Sequence, residues 1–68
     1  MRYIIHVDNG KQLVCRCDSR HMYYVIDRDS TSYPEKFPAE TIAEVLLGIQ
    51  RDLPELSQTI TLTRVEQF

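Results

Sequence analysis

The sequence predicts an α+β domain, a mostly antiparallel four-stranded sheet with one helix on one face, in the order βββαβ. Three observations carry this. Residues 2–27 alternate β-forming runs with turn residues, residues 38–53 repeat apolar groups at helical spacing, and residues 59–65 alternate apolar side chains with threonines.

The first run, Arg2–Val7, ends at Asp8-Asn9-Gly10, a strong hairpin signal. A second strand follows at Lys11–Cys17, a turn at Asp18–His21 and a third strand at Met22–Asp27. Residues 28–37 are a polar connection with Ser, Thr and Pro34. Pro38 suits the first position of a helix, where Glu40 and Glu44 favour the positive end of the dipole. Ile42, Val45, Leu46, Ile49 and Leu53 form the apolar stripe until Pro54 interrupts it, and Gly48 inside it marks a close approach to the sheet. Thr59–Val65 is the last strand. The helix covers one face, yet Ile4, Leu13, Met22, Tyr24 and Ile26 give the other an apolar character that calls for further cover.

At 68 residues the chain is one small domain, residues 1–68, of a size at which a metal, disulfide or partner often assists folding. Eight basic against ten acidic residues argue against a basic nucleic-acid interface and are too balanced for a DNA mimic. The acidity lies in the second half: residues 1–34 carry +1 and residues 35–68 carry −3. No run is long enough to span a bilayer and the first residues do not read as a signal peptide, so a cytoplasmic protein is expected.

Both cysteines and both histidines fall within the first 21 residues: His6, Cys15, Cys17 and His21. Two thiolates and two imidazoles are the ligand set of a closed structural Zn2+ site. If Asn9-Gly10 is a two-residue turn, paired residue numbers sum to 19 and His6 faces Leu13, one diagonal step from Cys15 on the same side. If Asp8-Asn9-Gly10 is a three-residue loop, His6 moves to the opposite face and the cysteines are ordinary buried groups. A copper or redox role for the C-x-C pair lacks Met ligands and a nucleophile at a helix start. Catalysis finds little support, since so short a chain offers no cleft with an orienting group and an oxyanion hole. Tyr23, Tyr24, Arg28, Tyr33 and Phe37 are the candidate partner-binding residues, although at least two of the four aromatics are expected in the core.

The hairpin YIIHVDNGKQLVC, the helix start in EKFPAETIAEVLLGIQ and the closing strand TITLTRV resemble small accessory proteins of phages and prophages. That group includes many anti-CRISPR inhibitors. The resemblance implies a zinc-stabilised protein that binds a type II RNA-guided effector nuclease in the host bacterial cytoplasm. Its mild charge then implies docking on a protein lobe that blocks DNA loading or a conformational step. The competing expectation is a homo-oligomeric structural or interaction module, a symmetric dimer formed by the uncovered sheet face.

Overall fold

The computed structural model describes residues 1–56 and 60–65. Strands β1 (Arg2–Val7), β2 (Gln12–Cys17) and β3 (Met22–Asp27) form an antiparallel meander, followed by β4 (Phe37–Pro38), helix α1 (Ile42–Asp52) and β5 (Thr61–Val65). The α+β class is as expected, with a fifth, two-residue strand added to the sheet. Thr59, placed in the last strand on sequence grounds, lies outside the described residues.

The first turn settles the hairpin register. Asn9 and Gly10 both take left-handed φ values, 56° and 84°, and the Lys11 N–H donates to the Asp8 carbonyl at 3.1 Å. Two left-handed central residues match the twist of the flanking strands. His6 therefore pairs with Leu13 and Val7 with Gln12, the register in which numbers sum to 19.

β1 is the central strand. β5 pairs along one edge from Arg2↔Val65 to His6↔Thr61. The other edge is shared, β2 holding its end at His6 and Val7 and β4 its beginning at Arg2 and Tyr3. This sharing corrects the expected helix start. Pro38 is extended, with ψ 143°, because Phe37–Pro38 pairs with β1 and the Ala39 N–H donates to the Met1 carbonyl at 2.9 Å. A single 3-10 turn, Ala39–Thr41, then leads into α1 at Ile42.

The core lies between α1 and one sheet face. Ile5, Val7, Val14 and Tyr23 project from the strands, Phe37 enters from β4, and Val45 and Ile49 descend from the helix. Ile42, Leu46 and Leu53 pack around them, so the apolar stripe read from the sequence is the buried face. Gly48 sits directly over the Tyr23 ring. Burying a side chain such as Ile49, fully covered here, stabilises by about 1.5–3 kcal/mol, so α1 adds packing energy to the strand pairing. Among the described residues no helix is long and apolar enough to cross a membrane.

Candidate functional site

Strand alternation places Leu13, Cys15 and Cys17 on the sheet face away from α1. The β2–β3 register sets Ile26, Tyr24 and Met22 directly opposite them, as Leu13↔Ile26, Cys15↔Tyr24 and Cys17↔Met22. Leu13 and Cys15 are buried, yet neither belongs to the core under the helix. They form the floor of a second, smaller apolar patch whose rim is Met22, 48% exposed, and Tyr24, 45% exposed.

The two thiols differ sharply in setting. Burial pushes the Cys15 thiol up, the Glu35 carboxylate adds to this, and hydrogen bonds from Tyr24 and the Glu35 backbone only partly offset them. Cys17 lies at the strand end with its Sγ 3.3 Å from the Ser19 hydroxyl. That hydrogen bond, helped by the Arg20 backbone, draws the Cys17 thiol down. The Tyr24 phenol is pushed up, first by neighbouring Cys15 and then by burial, Cys17 and Glu35.

The imidazoles go elsewhere. His6 shares the face of Cys15, as the register requires, but its Nδ1 lies 3.0 Å from the Thr63 hydroxyl of β5. β5 and β2 flank opposite edges of β1, so this contact draws the ring away from the thiols. His21 takes a left-handed φ of 53° in the turn, a conformation to which histidine is more tolerant than most residues. It lines a hollow with Leu47, Gly48 and Arg51 on the helix side, and its carbonyl accepts from Arg51 Nη2 at 3.4 Å. The two-Cys, two-His set thus does not converge. Among the described residues no group of three or more His, Cys, Asp or Glu side chains is placed to hold a metal ion. The sulfur half of the expected site stays together, and the imidazole half is divided between a threonine and the helix side.

Of the candidate partner-binding residues, Tyr23 and Phe37 belong to the core, their ring centroids 6.4 Å apart, and they leave the contact set because they are buried. Tyr24 and Arg28 are exposed, and Tyr33 is 91% exposed on the segment whose Glu35 reaches Cys15. The Arg28 side chain makes a loose ion pair with Asp29, 3.8 Å apart and open to solvent.

Two residues that matter here, Asp52 and Glu35, carried little sequence signal. Asp52 accepts the Tyr23 N–H at 3.1 Å and both Arg51 Nε and Nη2, at 2.8 and 3.0 Å. An acidic residue in the last helical turn opposes the dipole, and that misfit was its one outward sign. Glu35 tethers the long connection to β2 by accepting the Arg16 N–H at 3.4 Å. Met22, read from the sequence as part of the uncovered apolar face, could also have been set opposite Cys17 by counting the 18–21 turn as a four-residue loop. Compared with known proteins, the chain matches no family model, no curated protein and no solved structure.

Proposed function

We propose that the chain acts by stoichiometric binding to another protein, without catalysis, through the sheet face that α1 leaves open. The observation that carries this reading is the grouping of half-exposed Met22 and Tyr24 on that face, with fully exposed Tyr33 on the adjoining segment. Methionine and tyrosine are enriched in interface centres, and a tyrosine as exposed as Tyr33 gives the isolated fold almost no burial energy. The resemblance to phage accessory proteins supplies the partner class, a type II RNA-guided effector nuclease of the bacterial cytoplasm. The near-neutral charge of residues 1–34 favours docking on protein surface over occupation of a nucleic-acid channel.

The test is inhibition of DNA cleavage by purified type II effector nucleases at equimolar and excess chain. Inhibition saturating at one chain per nuclease is expected, with Tyr24→Ala and Tyr33→Ala each weakening it at least about tenfold, or roughly 1.4 kcal/mol. Gln50→Ala, on the exposed side of α1, serves as the control. Failure to bind or inhibit any member of the panel, or full potency in both tyrosine variants, overturns the reading. The same apolar face also favours a homodimer as a second reading. Light scattering separates the two, because a monomer at micromolar concentration excludes the dimer.

A further inference from the structure

We propose that Cys15, Cys17 and Met22 together form a three-coordinate, all-sulfur site for a soft monovalent metal ion, copper(I). The placement follows from the strand pairing. Cys17 and Met22 are direct cross-strand partners, and Cys15 is the next residue on the same face of β2. Directly opposed Cβ atoms lie about 4.5–5.5 Å apart and diagonal ones about 7–8 Å. Residues two apart on one strand are separated by about 7 Å. Three side chains standing on such a triangle share one face of the sheet, and the long, unbranched methionine has the reach to span the diagonal to Cys15.

The donor chemistry selects the ion. Two thiolates and a thioether are soft ligands suited to copper(I), whereas a closed zinc site calls for a fourth nitrogen or sulfur donor. Both imidazoles that could have supplied one are directed elsewhere, His6 to Thr63 and His21 to the helix side. The surroundings also fit. Ser19 stands at hydrogen-bond distance from Cys17 and Tyr24 is the cross-strand partner of Cys15, so each thiol has a hydroxyl-bearing neighbour of the kind that orients metal ligands. Cys15, 7% exposed, forms a dry floor, and half-exposed Met22 leaves an entry path from solvent. Met22 thus supplies beside the C-x-C pair the methionine ligand that the sequence alone did not place there.

The experiment uses the purified, reduced full chain under anaerobic conditions, titrated with copper(I) in competition with the chromophoric chelator bicinchoninate. One copper withdrawn per chain is expected, with a sulfur-to-copper charge-transfer band in the near ultraviolet and only sulfur neighbours in X-ray absorption. Met22→Leu keeps the volume and removes the sulfur, and it should weaken binding at least about tenfold, the loss that even an outer-shell partner of a metal ligand carries. Cys17→Ser should abolish one-to-one binding, whereas His6→Ala and His21→Ala should bind as the parent does. Circular dichroism of each variant verifies the fold. No withdrawal of copper, parental affinity in Met22→Leu, or a loss on His6→Ala with nitrogen neighbours and preference for zinc each overturns the proposal. The assay needs no partner, so its outcome is independent of the protein-binding reading.

Discussion

Replacing Gly48 by alanine sets two effects of similar size against each other. In a helix interior, alanine is favoured over glycine by about 1 kcal/mol, so propensity alone predicts a more stable protein. The structure predicts the reverse. A Cβ at Gly48 would overlap Cε2 of Tyr23 outright and stand 2.9 Å from Cδ2 and 3.2 Å from Cζ. The ring has little freedom to yield, because it packs on Phe37 and its own backbone N–H is held by Asp52. Overpacking a core by one methyl costs about 1–3 kcal/mol, and a blocked ring places this site toward the upper end. The net expectation is a loss of about 1–2 kcal/mol. At about 4–8 °C per kcal/mol for a domain of this size, Tm falls by roughly 5–15 °C. Thermal and urea melts followed by circular dichroism measure it. In a double-mutant cycle with Tyr23→Ala, the two positions should couple by at least about 1 kcal/mol, since the smaller residue removes the clash. A Tm at or above the parental value, or strictly additive effects, would refute the claim that α1 rests on Tyr23 through Gly48.

Three further outcomes are expected. Ile49→Ala, at a fully buried position, should cost about 2–5 kcal/mol, a large share of the stability of so small a domain; a urea midpoint within error of the parent would contradict the core assignment. Arg51, and after it the Tyr23 N–H, hold the Asp52 carboxyl below its ordinary value. Its contribution is therefore complete above an unfolded pKa of about 3.9 and is lost as pH falls through the lower folded value. Tm should consequently drop more steeply on acidification in the parent than in Asp52→Asn, and parallel curves would refute the linkage. Native-state alkylation should modify partly exposed Cys17 at least about tenfold faster than buried Cys15, as the opposite displacements of their thiols require, and equal rates would count against both placements.

Much of the fold was legible because local chemistry dictates it. Asp8-Asn9-Gly10 declared a hairpin but allowed two registers, between which the left-handed angles of the folded turn decide, and the spacing of Val45 and Ile49 declared the buried side of the helix. Gly48 announced a close approach without naming Tyr23 as the neighbour. The short strand at Phe37–Pro38 was not legible. Pro38 reads locally as a helix start, and only the vacant half of the β1 edge, a property of the assembled sheet, makes it extended. The candidate site divided in the same way. Alternation placed Cys15 and Cys17 on one face, but the fates of His6 and His21 depended on Thr63 and Arg51, which are far away in sequence.

The pairing of β1 with β5 bears on how the chain folds. The two hairpins close over four-residue turns and α1 forms from local contacts, whereas Arg2↔Val65 closes a loop spanning nearly the whole described chain. Loop-closure entropy delays such contacts, so the meander and helix can assemble while one full edge of the central strand is still bare. That bare edge runs along Tyr3, Ile4, Ile5 and His6 with its backbone groups unpaired, a template on which a foreign strand could dock. β5 thus has a second task in the folding chain: its arrival ends the interval in which this protein can aggregate through its own centre.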